Sequence, residues 1–232
     1  MTRIGLLCSG SALMFCASSA AIATERARPP THLHGEVHRV VAAVLGSVTL
    51  VDQNDDDSGV AVWSEDFSHG FDSYDSSGAD DFTVPAGHKW KIREMEVSGA
   101  YGEQSEPAQS EDVVFYRDKQ GLPGTPIARC LQLAGKDNMG SFAIKLPRSC
   151  SVALKGGKRY WVSVVVHENN TCCTNWGWET RNGQNGKPAA WENPNGGFGI
   201  GCETWGIMTS CIGIEGEGPD FMFALKGRDV PL

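Results

Sequence analysis

Beyond its first two dozen residues the 232-residue chain has no apolar run approaching the roughly eighteen residues that a membrane-spanning helix needs. It has no surplus of positive charge either, with 20 Lys and Arg against 28 Asp and Glu and a formal net charge of -8. That balance argues against nucleic acid and anionic lipid, both of which call for phosphate neutralisation by Lys and Arg. A G-x-S-x-G elbow is missing, which removes the usual sequence sign of a serine hydrolase. There is no CxxC, and beside the histidines at 34 and 38 no second ligand pair stands at zinc spacing. Internal repeats are absent, and past residue 46 there is hardly any helical period.

What is present begins with an export signal. Residues 1–23 carry a single charge, Arg3, followed by an apolar stretch ending in Ala21-Ile22-Ala23, the A-x-A form that signal peptidase cuts. Cys16 raises lipid attachment as an alternative, which the bulky Phe15 before it fits poorly. Cleavage after Ala23 leaves six cysteines, at 130, 150, 172, 173, 202 and 211. An even number in an exported chain suggests disulfides. The pairing chosen is Cys130 with Cys150 and Cys202 with Cys211, each closing a modest loop. Cys172 and Cys173 stay open between a vicinal disulfide, pairing elsewhere, and free thiols.

Residues 24–46, with Pro29-Pro30, mixed charges and His32, His34 and His38, read as a leader or linker, partly helical or disordered. From Val48 the chain changes to short β-branched and aromatic runs separated by Gly, Pro, Asn and Asp. Ten such runs start near residues 48, 59, 81, 90, 112, 126, 141, 159, 176 and 221. They predict one all-β domain over residues 47–232, an antiparallel, jelly-roll-like β-sandwich stapled by disulfides. Two strands carry more detail. In WKIREMEV, Trp90 and Ile92 share one phase and Met95 and Val97 the other, so a β-bulge at Arg93-Glu94 is expected. RYWVSVVV is apolar on both phases and is expected to be central.

The stretch DQNDDDSG at residues 52–59 packs four aspartates and an asparagine into eight positions. Calcium takes six to eight oxygen ligands of this kind. Asp52, Asn54 and Asp56 alternate, Asp80 and Asp81 form a second acidic pair, and Asp72 and Asp75 a third. Convergence of these loops gives a calcium site with Asp52, Asn54, Asp56, Asp80 and Asp81 as ligands. The alternative is a set of solvated loops.

The segments DQ at 52–53, GADDFTVPAGHKW at 78–90, GLPG at 121–124, NGKPAAWENP at 185–194, GFGIGCETWG at 197–206 and GPDFMFALKG at 218–227 resemble a family of secreted bacterial β-sandwich proteins. The resemblance spans most of residues 50–227. It implies an extracellular sandwich and brings no catalytic residues with it.

Trp176, Trp178, Trp191 and Trp205 fall in segments rich in Asn and Gly. Exposed indole rings beside amides and carboxylates are how proteins stack on sugars. These four are the expected contacts for a carbohydrate or cell-surface polymer. The alternative is that they pack as apolar ballast over the disulfides. Glu179 and Glu192 are the first candidates for the acid and base of a glycosidase. An N-x-T triplet at 169–171 is expected to be unmodified in a bacterial protein. The reading is a secreted or periplasmic, non-catalytic binding or surface protein with calcium as its conceivable cofactor; the alternatives are a glycan-degrading enzyme and a purely structural accessory domain.

Overall fold

The computed structural model describes residues 46–102, 107–150, 152–168, 175–214 and 216–232. The signal peptide, nearly all of the leader, Cys172 and Cys173, and the triplet at 169–171 lie outside the described residues.

In chain order the strands are β1 (Val48–Asp52), β2 (Asp57–Trp63), β3 (Glu65–Asp66), β4 (Ser77–Val84), β5 (His88–Val97), β6 (Gly99–Tyr101), β7 (Ser110–Lys119) and β8 (Leu122–Leu133). They continue as β9 (Lys136–Asn138), β10 (Ser141–Lys145), β11 (Val152–Lys155), β12 (Lys158–His167), β13 (Trp176–Arg181), β14 (Ala190–Glu192), β15 (Gly206–Ile207), β16 (Asp220–Phe221) and β17 (Phe223–Pro231). A five-residue helix, α1 (Met208–Ile212), follows β15. Every one of the ten expected runs begins in a strand, the runs from 90 and 221 each continuing into a second one past Ser98 and Met222.

The strands form three sheets. The first runs β1-β17-β5-β10-β9 with β11 also on β5, and the second runs β15-β14-β4-β12-β7-β8 with β3 on β12. The third, β16-β13-β2 with β6 on β13, continues the first across Ser98 and Met222. All strand pairs are antiparallel except β3 with β12. The fold is an all-β, sandwich-like one. Its core lies between the inner faces of the first two sheets, where Trp90 of β5 stacks on Phe82 of β4 at 6.2 Å.

The bulge stands where the sequence puts it. On β17, Lys226 pairs with Glu94 and the next residue, Gly227, pairs with Ile92, so Arg93 is the extra residue. Trp90, Ile92, Met95 and Val97 are therefore all buried. A Cβ on Gly227 would lie 2.2 Å from the Lys91 carbonyl oxygen, so the backbones pass too closely there for any other residue. β12 is central as expected, flanked by β4 and β7 with Tyr160, Trp161, Val162 and Ser163 all buried.

Both expected disulfides are present. Cys130–Cys150 joins β8 of the second sheet to the segment between β10 and β11 of the first, at a Cα separation of 5.5 Å. Cys202–Cys211 closes the turn from the 193–204 loop into α1, at 5.8 Å.

Candidate functional site

Trp176 and Trp178 share one face of β13, as alternation requires, and that face is the core. Both are fully buried; their indole N–H groups donate to the carbonyls of Gly140 at 2.7 Å and Met222 at 2.8 Å. Gly99 makes room for Trp176, since a Cβ there would stand 2.4 Å from the ring. Trp191 is 2 % exposed and donates to the Trp63 carbonyl. None of these three offers a ring face to a sugar. Trp205 is half-buried, edge-on to Tyr116 at 5.8 Å.

The acidic turn uses its side chains locally. Asp52 and Asp57 accept from the backbone N–H groups of Asn54 and Gly59, two residues on, the Asx-turn arrangement. Asp55 pairs with the buried Arg181 at 2.5 Å, and Asn54 accepts from the Ser98 hydroxyl. Asp56 adopts a left-handed backbone and its carbonyl accepts from the Asn182 N–H. Asp80 and Asp81 are far from interchangeable with these. As neighbours on β4 they face opposite sides of the sheet. The five expected ligands are thus dispersed, and among the described residues no three Asp, Glu, His or Cys side chains are grouped as a metal site would need.

Asp80 instead belongs to a buried polar hub. Its carboxylate accepts from the Gln53 side chain at 2.8 Å and from the Phe221 and Asp81 N–H groups. Asp220, also fully buried, accepts from the Asn185 N–H and has one carboxylate oxygen without a hydrogen bond. Burial, and then the neighbouring Asp220, hold Asp80 well above the usual carboxylate range; burial pushes Asp220 up to about 7. On the outer face Asp81 pairs with Arg159 at 2.6 Å and accepts from the Lys187 N–H. The hub ties four of the segments behind the resemblance together: 52–53, 78–90, 185–194 and 218–227.

Glu179 and Glu192 lie in different sheets, on β13 and β14. Burial, with nearby Asp57, raises Glu179. Burial also pushes Glu192 up to about 7, against a hydrogen bond from the Trp205 backbone.

The accessible aromatic surface lies elsewhere. Trp63, at the end of β2, packs at 5.4 Å on Phe198 and at 6.2 Å on Phe67; Tyr74 meets Phe198 edge-on at 5.2 Å and Phe67 at 6.3 Å. Trp63 and Tyr74 are each 38 % exposed and neighbouring Phe71 43 %. Trp191 packs on Phe198 from the core side at 5.7 Å. The shelf is held by amides. Asn193 donates to the carbonyls of Ser73 and Asp75 and accepts from the Phe198 N–H, while Asn195 donates to the Asp72 carbonyl. Polar groups rim it. His69 lies 3.7 Å from Asp72, both exposed. Asp75 accepts from the Phe67 N–H; burial, reinforced by Asp66 and Asp72, pushes it up to about 6. Tryptophan spacing along the chain does not point to this shelf, which holds a single tryptophan. The available signal was FSHGFDSYDSSG at 67–78, three rings spaced through a Gly, Ser and Asp loop.

Comparison of the chain with protein-family models gives no match, and neither does comparison with curated proteins.

Proposed function

We propose that this is an exported, non-catalytic β-sandwich protein of the secreted bacterial kind that its motifs resemble, and that it binds carbohydrate through the shelf of Trp63, Phe67, Tyr74 and Phe198. The observation that carries the reading is a packed set of rings, of which Trp63 and Tyr74 are left two-fifths exposed, rimmed by His69, Asp72 and Asn195, where three of the other aromatic candidates are buried. A ring face supplies apolar contact for a pyranose, and the rim groups take its hydroxyls. Burying that much aromatic surface in water's place is favourable by about 25 cal/mol per Å², a gain the unliganded protein forgoes.

The test is affinity electrophoresis in gels cast with a panel of bacterial and plant polysaccharides. Retardation by at least one polymer, weakened about tenfold in Trp63→Ala and Tyr74→Ala while the melting temperature holds, supports the reading. No retardation by any polymer, or equal retardation of both variants, sinks it. The burial of Trp176, Trp178 and Trp191 also suits a purely structural accessory domain, and absence of retardation by every polymer would favour that.

A further inference from the structure

The formal charge of -8 conceals an uneven distribution. Where the two main sheets part at one end, a recess of about 200 Å³ is lined by Arg117, Lys155 and Lys158 over a floor of Ile127, Leu154 and Tyr160. Arg117 pairs across strands with Tyr160, and Lys158 lies two residues before it. By alternation all three stand on the inner face of the second sheet. Inner positions elsewhere along these strands hold Phe115, Val162 and Val164. At this end, cations take their place. Among the described residues none of the three cations has an ion-pair partner. The nearby acids are engaged: Asp118 accepts from the Trp161 indole and faces Arg159, and Asp229 binds His88 at 2.8 Å.

The positive field extends along the outer face of the first sheet. Lys155 pairs with Lys89, and Lys91 pairs with both Ala153 and Arg228. Neighbouring strands lie about 4.8 Å apart and same-face positions about 7 Å apart along a strand, so these like charges repel one another unless a counter-charge sits among them.

We propose that this recess binds a phosphate monoester on a body of sugar size. A dianion suits a recess lined by cations, with the Arg117 guanidinium able to grip two phosphate oxygens, Lys158 beside it on the same face acting as a point charge, and Lys155 adding positive charge at the rim. Ile127, Leu154 and the Tyr160 ring give the carbon body an apolar seat. The Tyr160 hydroxyl is already engaged with the Lys155 backbone at 3.0 Å, so it stiffens the floor and leaves recognition to the cations. The volume falls below the roughly 300–1,000 Å³ of sites that enclose larger ligands, which selects a single group. The acidic remainder of the surface repels longer polyanions such as nucleic acid. This site is separate from the aromatic shelf and stands or falls without it.

Calorimetric titration of the folded chain with glucose 6-phosphate, inorganic phosphate and glucose tests the proposal. Glucose 6-phosphate should bind tightest, inorganic phosphate more weakly at the same site, and glucose not at all. Arg117→Gln and Lys158→Gln should each weaken glucose 6-phosphate about tenfold or more, and Lys136→Gln, an equal charge change on β9, should leave it unchanged. A glycan carrying a terminal 6-phosphate, run in parallel, separates the sources: tighter binding than glucose 6-phosphate assigns a phosphorylated chain end, and equal or weaker binding a free sugar phosphate. The proposal fails if glucose 6-phosphate does not bind, if glucose binds equally, or if Lys136→Gln weakens binding as much as the recess variants do.

Discussion

Trp178 and Trp63 occupy paired strands one register step apart, since Trp178 lies opposite Val62 and Trp63 opposite Gly177. One is fully buried and the other 38 % exposed. The difference is phase. Successive residues on a strand point to opposite sides, so Trp178 joins Phe221 at 4.3 Å in the core, while Trp63 emerges on a face where its cross-strand neighbour has no side chain to cover it. The same residue type, 115 positions apart in sequence and adjacent in the sheet, is structural in one phase and available in the other. Density of tryptophan along the chain says nothing about which.

The sharpest way to test that contrast is to truncate both rings. Trp178→Ala should cost about 3–5 kcal/mol, the usual toll of emptying a buried aromatic site, visible as a large fall in Tm. Removing the clamp on the shelf loop comes next. Cys202→Ser with Cys211→Ser should cost about 2–3 kcal/mol by loop entropy, and on the carbohydrate reading it should weaken polymer retardation as well, because Asn193 bonds to the Cys202 carbonyl. Calorimetric melts read both.

A third expectation concerns pH and sets the buried hub against the open turn. Asp220, raised to about 7, and Asp80, raised well above the usual carboxylate range by burial, favour the protonated form in the folded chain, whereas the unfolded chain ionises near pH 4. Stability attributable to them is full below the unfolded value and falls as pH rises through about 7. His167, raised by its hydrogen bond to Asp112 with Asp66 adding, loses its contribution in the same direction as pH climbs. Asp220→Asn should therefore raise Tm by roughly a few degrees at pH 8 and leave it nearly unchanged at pH 4. A variant less stable than wild type at both pH values would show that the carboxylate is needed charged. By contrast, Trp63→Ala should change stability by within about 0.5 kcal/mol. Smallest of all, excess calcium against chelator should leave the melt unmoved, because the acids of the 52–59 turn are spent on Asx turns and on Arg181. A rise in Tm with calcium would overturn that account of the turn.

Much of the fold was legible in the sequence because alternation and turn residues are local signals. The bulge at Arg93, the central place of β12 and the Cys130–Cys150 and Cys202–Cys211 pairings could all be reasoned from spacing. The short pieces β3, β9, β11, β14 and β15 could not, being two to four residues long and defined by their partners across the sheet. The site was harder still. Alternation shows that Trp176 and Trp178 face together, yet which side becomes the core depends on β2, β6 and β16 arriving from elsewhere. Asp80 and Asp81 read as one acidic pair, and only the sheet reveals that one points at Asp220 and the other at Arg159. Net charge erred in the same way, averaging an acidic turn with a basic recess.

The pairing of β1 with β17 has a mechanical consequence. The two strands run antiparallel, with Val48 opposite Gly227, so the chain enters β1 and leaves β17 at the same end of the ladder. Tension between those two points would load the hydrogen bonds in succession, opening the pair as a zipper opens, instead of straining them all together as in a shear joint. If the domain were tethered at both ends under flow, β1 would peel first at modest force. Cys130–Cys150, joining one sheet to the other, would still limit how far the remaining layers could be drawn apart.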